Sequence, residues 1–292
     1  MAATNKLQKN RTISQAPAKP VQAQTGIKQE SPLYAEPIFQ IGKLTVTNSL
    51  INSWIAVIII VSAILVMSRK IKMVPRGLQN VFEILLEEAL TLADSITGSR
   101  KKSEKFLPIV LTLFIFILIN NWMGILPGVG TIGLVKAEGG SRVFVPFFRG
   151  GNADLNTTLS MALFTVIAAH LLGIVAVGVW QYFNKFINVK AFAEIPGKVA
   201  KDFTIILVNP IKAFVGLIEL IGEIAKVISL SFRLFGNVFA GEVLLASMMA
   251  IFAYLLPLPF IFLEILVGLI QALIFAMLAL VYMSIATEKE EH

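Results

Sequence analysis

Residues 204–253 read TIILVNPIKAFVGLIELIGEIAKVISLSFRLFGNVFAGEVLLASMMAIFA, and their length decides the fold. As one helix these fifty residues measure about 75 Å, over twice the roughly 30 Å of a bilayer's hydrocarbon core. The stretch therefore tilts strongly, extends beyond the bilayer, or breaks, and Pro210 stands where a break would fall. Pro257-Leu258-Pro259 turns the chain, and Phe260–Thr287 returns before a polar end, Glu288-Lys289-Glu290-Glu291-His292.

Composition agrees with a membrane solvent. Hydrophobic residues make up 56% of the 292 and charged residues 15%, and mean hydropathy is +0.79. A soluble domain of this size cannot hide so much apolar surface. The net charge of +7 would raise nucleic acid as a partner in a soluble chain. In this one it reads as basic loops at one membrane face, and no nucleic acid is expected. The absence of Cys excludes disulfides, thiolate metal sites and thiol catalysis. Two histidines are too few for a histidine metal cluster, so neither metal nor cofactor is expected.

Working outward, Leu50–Met67 is a first span of eighteen uncharged residues. Phe106–Leu126 is a second and Leu155–Phe183 a third, while residues 204–253 and 260–287 supply the last two. Val74–Ser95 differs. Val74, Leu78, Val81, Phe82, Leu85, Ala89 and Leu92 recur at three and four, away from Glu83, Glu87 and Glu88, which predicts an amphipathic surface helix. Residues 1–42 have the composition of a disordered tail, and residues 43–292 are the membrane domain. Residues 128–154 form a Gly-rich connection outside the hydrocarbon, and 184–202 a basic one. The expected fold is thus an all-α integral membrane protein with about five crossing helices and one surface helix, the last two spans long and strongly tilted.

Basic residues set the orientation. Arg69, Lys70, Lys72 and Arg76 follow the first span, Arg100, Lys101, Lys102 and Lys105 precede the second, and Lys185, Lys190, Lys198 and Lys201 follow the third. These loops should be cytoplasmic, with the N-terminus and residues 128–154 outside and the C-terminus inside. The tail's own lysines lie beyond the reach of that rule.

The chemistry rests on ionisable groups in apolar sequence: Glu219, Glu223, Lys226, Arg233 and Glu242, then Glu264. Each costs about 2.5–3.5 kcal/mol at mid-bilayer, so such groups face protein or water and mark ion paths, or they form buried pairs that tie helices together. At 100° per residue, Glu219, Lys226, Arg233 and Asn237 fall within about 40° of one another, a stripe about 27 Å long. Glu242 lies near 180° from Arg233, which suits two separate compartments better than one ion pair. On the last helix Glu264 and Gln271 share a face with Tyr282.

Ser229-Leu-Ser-Phe-Arg-Leu-Phe-Gly-Asn-Val-Phe-Ala-Gly-Glu242 resembles the signature of subunit a of F-type ATP synthases. Asn120-Asn-Trp-Met-Gly-Ile-Leu-Pro127, Ala153-Asp-Leu-Asn-Thr-Thr-Leu159, Ile270-Gln-Ala-Leu-Ile-Phe275 and Val281-Tyr-Met-Ser284 support it in order. The resemblance implies a stator subunit with two half-channels that couple proton translocation to rotation of a ring of c subunits. Its partners are the c-ring, the b subunits, the lipid bilayer and the translocated proton or Na+, in a bacterial plasma membrane. Arg233 matches the arginine that faces the ring carboxylates. Asn237, Glu242, Glu264 and Gln271 match polar residues of the outer half-channel, Asn121 its entrance, and Glu219 an acid nearer the cytoplasm. No covalent chemistry is implied in this chain.

Two departures stand out. Position 264 is His in well-studied bacterial members and Glu here, so two acids share one half-channel, and the family's acid three residues beyond the Asn121 position is Gly124 here. Counted from Pro257, a regular hairpin leaves Glu242 and Glu264 about 12 Å apart in depth, so their meeting needs a turn nearer residue 253 or unequal tilt. The competing readings are an ion-coupled secondary transporter, against which stands the lack of related halves, and a structural anchor in which the charges only hold helices together.

Overall fold

A computed structural model describes residues 34–69, 72, 74, 76–126, 128–138, 141–187, 204–252 and 255–288. Most of the expected tail, the basic connection beyond Ile187 and the last four residues lie outside the described residues. Val135–Glu138 and Ser141–Phe144 belong to a separate unit. In it and its flanks, β3 (Gly133–Glu138) pairs with β4 (Ser141–Pro146). The Gly-rich connection is therefore partly regular structure. The described end of the expected tail is likewise ordered into a strand. β1 (Pro37–Ile41) pairs antiparallel with β2 (Leu44–Thr47), Ile41 opposite Leu44, around a turn where Gly42 adopts φ 63°. Thr45, Val46 and Thr47 supply the β-branched side chains that favour it.

The main unit is helical: α1 (Asn48–Ser68), α2 (Leu78–Thr97), α3 (Arg100–Ile125), α4 (Leu155–Val177), α5 (Val179–Ile187), α6 (Thr204–Ile251) and α7 (Pro257–Ala286). Five carry segments long and apolar enough to cross a bilayer: 48–68, 100–125, 155–177, 214–251 and 257–286. This is an all-α, multi-pass integral membrane protein. α6 is continuous through Pro210, so the break considered from sequence does not occur. Its 48 residues make a rod of about 72 Å, which must tilt or protrude. The expected span 155–183 is two helices, because Gly178 at φ 98° ends α4 and starts α5.

Burial is inverted on α1. Asn48, Ser49, Asn52 and Ser53 are buried, whereas Ile58, Val61, Ile64 and Leu65 are exposed. That pattern suits a helix with lipid outside and polar protein inside. Thr47 caps its start, its Oγ1 accepting from the Leu50 amide at 3.4 Å. α2 exposes Val81, Phe82, Leu85 and Leu92, as an apolar face turned to a bilayer would, and buries Leu90 and Ala93. The core lies where α3, α4, α6 and α7 meet. Leu113, Ile117, Met161, Ala162, Leu230, Leu234, Ala272, Phe275 and Ala279 form one cluster there. The alanines of α4 and α7 let the helices approach closely, so packing rather than water exclusion holds them.

Candidate ion pathway

Arg233 sits on the exposed side of α6. Its one hydrogen bond among the described residues is a long one, Nη2 to Ser229 Oγ at 3.5 Å. The same helix exposes Leu217, Ile221, Ile224, Ile228 and Phe232, an apolar face that no described residue covers. The next residue, Leu234, is buried in the core, so the helix offers the guanidinium outward while its other side is locked. An always-protonated group on a lipid-facing helix is costly unless another chain supplies its anion.

Toward the basic face, four helices bring polar groups together. His170 of α4, Tyr182 of α5, Glu219, Glu223 and Lys226 of α6 and Tyr282 of α7 line a cavity of about 30 Å3, room for one or two waters. Lys226 Nζ donates to Glu223 Oε1 at 2.7 Å and lies 5.1 Å from the centre of the Tyr282 ring. His170 Nε2 is 3.6 Å from Glu223 Oε2, and its Nδ1 hydrogen-bonds the Tyr182 hydroxyl at 2.6 Å. Burial, helped by Glu223 and Glu219, pushes the Tyr182 phenol up to about 12. α5 lies outside the spanning segments, and this phenol stays neutral at any physiological pH.

Toward the face of residues 145–154, the polar groups are denser. Arg149 is only 4% exposed. Its Nε reaches both Glu242 oxygens at 3.1 Å, its Nη2 reaches Oε2 at 2.9 Å, and its Nη1 donates to the Tyr34 carbonyl at 3.0 Å. Removing Glu242, itself 32% exposed, would leave the buried Arg149 charged and unpaired, which costs about 3–5 kcal/mol. Glu264 is half-buried, and its carboxyl lies directly on Gly241. Asn121 is buried; its Nδ2 donates to the Gly268 carbonyl at 2.9 Å and its Oδ1 accepts from Asn152 at 2.6 Å. Ser49 Oγ donates to Asp154 Oδ2 at 3.0 Å, and Ser53 Oγ donates to Asn120 Oδ1 at 3.3 Å. Asn52 is fully buried and its amide has no hydrogen-bond partner among the described residues. A seam lined this way accepts water.

The expected site residues thus fall into three places. Glu219 is with the basic-face cluster, Arg233 is alone on the exposed face, and Glu242, Glu264 and Asn121 are at the opposite end. Asn237 and Gln271 are half-buried, Gln271 on the α7 face that carries Glu264 and Gly268. The four-residue stripe divides: Glu219 and Lys226 turn into the cavity, and Arg233 does not. The hairpin brings Gly241 level with Glu264, a pairing centred between residues 252 and 253. That removes the 12 Å offset, because α6 already ends at Ile251, well before α7 begins at Pro257. Glu242, however, takes Arg149 and not Glu264 as its nearest charged partner. Arg149, His170 and Tyr182 are the residues that sequence reasoning passed over. A partly buried acid opposite Arg233 needed a cation, and the 128–154 connection held three, Lys136, Arg142 and Arg149. Among the described residues no group of three His, Cys, Asp or Glu is placed to hold a metal.

Two polar clusters thus lie along α6, one on the N-terminal and one on the C-terminal side of the exposed Arg233. A model of the ATP synthase A chain family matches residues 50–284. The chain is 31% identical over 249 residues to "ATP synthase subunit a" of Moorella thermoacetica, covering 85% of this chain and 94% of that one. It is 33% identical over 240 residues to "ATP synthase subunit a" of Campylobacter jejuni, covering 81% and 88% respectively. On this match across most of its length, the chain belongs to the ATP synthase A chain family.

Proposed function

We propose that this chain is the stator ion-channel subunit of an F-type ATP synthase, coupling proton translocation to rotation of a c-ring. The single observation that carries this reading is Arg233, exposed on a helix that also carries an uncovered apolar face and flanked along it by two separate polar clusters. The c-ring supplies the missing surface and the carboxylates, and b subunits complete the stator. Arg69 and the Arg100–Lys105 end of α3 face the cytoplasm of a bacterial plasma membrane, and the N-terminus faces outward. The inner half-channel is then the His170–Glu219–Glu223 cavity. The outer one runs past Asn121, Asn237, Gln271 and Glu264, with Glu242 in its wall.

The mechanism follows from charge. A ring carboxyl crosses lipid cheaply only when neutral. At Arg233 its anion is stabilised, so it gives its proton to one half-channel, and past Arg233 it is reprotonated from the other. Arg233 also repels a cation moving directly between the clusters. A secondary transporter is not favoured, since the sequence shows no related halves and one helix is very long. The test is Arg233→Ala in the assembled complex. ATP-driven proton pumping should be lost with insertion intact, and Lys should substitute poorly because it can shed its proton in an apolar site. Normal pumping by the Ala variant would refute the proposal.

A further inference from the structure

The two acids of the outer half-channel are not equivalent in their surroundings. Both oxygens of Glu242 are engaged by one guanidinium, at 2.9 to 3.1 Å. Arg149 is buried to 4% exposure, and its remaining nitrogen is committed to the Tyr34 carbonyl. Arginine does not lose its proton in such a place. Protonating Glu242 would therefore strand a buried cation, so the pair behaves as a fixed, neutral unit. Glu264 has no ion pair among the described residues. Its carboxyl rests against Gly241, the residue next to Glu242, where no side chain intervenes.

Resting on the reading of this end as the outer half-channel, we infer that Glu264 passes the proton there, while Glu242 is a fixed anion held by Arg149. Arg149 is then a positioning residue. It pins the 241–242 turn of α6 to the loop at residues 149–153, and that turn is the seat of the Glu264 carboxyl. Gly150, the next residue, packs on the Gly124 backbone and the Val238 side chain, so the loop end of the clamp is itself held by α3 and α6. The charged groups around Glu264 are accordingly Glu242, Arg149 and, about 13 Å along α6 toward the basic face, Arg233. An acid freed of competing like charge can exchange its proton with water on one side and the ring on the other. An acid locked in a bidentate pair cannot.

Passive proton flux through the complete membrane sector in vesicles, stripped of its nucleotide-binding part and followed against pH, tests this. Flux is normalised to assembled complex. Glu264→Gln should lower flux by about 10²-fold, the lower range for a positioned proton-transfer group, and flatten its pH dependence. Arg149→Gln should lower flux and add a second titration, from the freed Glu242. Arg149→Gln with Glu242→Gln should recover most of the lost flux and return the profile to one titration, since two amides replace the pair without a charge. Arg149→Lys, which keeps the cation, should keep the single titration and guards against failed assembly of the Gln variant. Three results would each overturn the inference: a double variant no better than Glu242→Gln alone, a wild-type pH profile in Glu264→Gln, or a second titration in Arg149→Lys. Failure of the underlying reading is separate, because it appears only as ATP-driven pumping that survives Arg233→Ala.

Discussion

Gly241→Ala tests the seat of Glu264 without touching an ionisable group. A methyl built on Gly241 meets the carboxyl carbon and both oxygens of Glu264 as its nearest neighbours, well inside contact distance. Carbon contacts are comfortable at about 3.5–4.0 Å, so the carboxyl must retreat by roughly 1 Å. The retreating atoms are the far end of a flexible side chain, and an off-rotamer shift of that kind costs about 0.5–1.5 kcal/mol. Replacing Gly by Ala in a helix interior returns about 1 kcal/mol. The two terms nearly cancel, so assembly should be unchanged. Function should not be, because a displacement of about 1 Å at a reacting group can cost on the order of 10²-fold. The assay is ATP-driven proton pumping per assembled complex, with complex abundance measured alongside. Glu264→Asp in the Gly241→Ala background shortens the acid by one methylene and should recover part of the loss. Wild-type pumping by Gly241→Ala would mean that the Glu264 carboxyl is not needed where the hairpin places it. Lost assembly would mean that the contact is structural.

Three further outcomes follow from the same geometry. Single cysteines suit a chain that has none: one at position 101 should be labelled only from the cytoplasmic side and one at position 132 only from outside, and the reverse result would overturn the orientation. Lys226→Met leaves Glu223 without its 2.7 Å partner beside His170. Pumping should fall, and Glu223→Gln added to it should restore part of the loss, whereas strictly additive losses would mean the two do not act as a pair. Gly151→Ala drives a methyl into Asn120 Oδ1 and Ser53 Oγ, both buried, and overpacking of this kind costs about 1–3 kcal/mol. The thermal stability of the purified complex should fall, and an unchanged Tm would refute the close packing of the seam.

What could be read from the residues alone divides by the range of the interaction. Hydropathy and helix length are local quantities. They place the five spans, require α6 to exceed the bilayer, and put Arg233 and Glu242 on opposite sides of one cylinder. The third span, expected to reach Phe183, ends instead at Val177, because Gly178 at φ 98° breaks the helix. Pro210 goes the other way: it stands past the first turn of α6, where a proline removes an intrahelical hydrogen bond, and yet the helix runs through it.

The site failed at long range. Glu242 and Arg149 are 93 residues apart, and His170 and Glu223 are joined only because α4 packs along α6. No periodicity encodes such pairs. Charge balance does constrain them, because an ionised acid on the buried side of a membrane helix requires a cation on whatever packs against it. Arg233 was the cation in view, but helical geometry had already turned it away from Glu242. The remaining cations available to the Glu242 end were Lys136, Arg142 and Arg149 of the connecting segment. Of these Arg149 directly precedes Gly150 and Gly151, whose lack of side chains lets the chain press against Asn120 and Gly124 and carry a guanidinium inward. The same requirement explains why Arg233 is left bare. Among the described residues Glu242 has Arg149, and Glu219 and Glu223 line a cavity, whereas Arg233 has only its long contact to Ser229, which is why we propose that its anion arrives on another subunit.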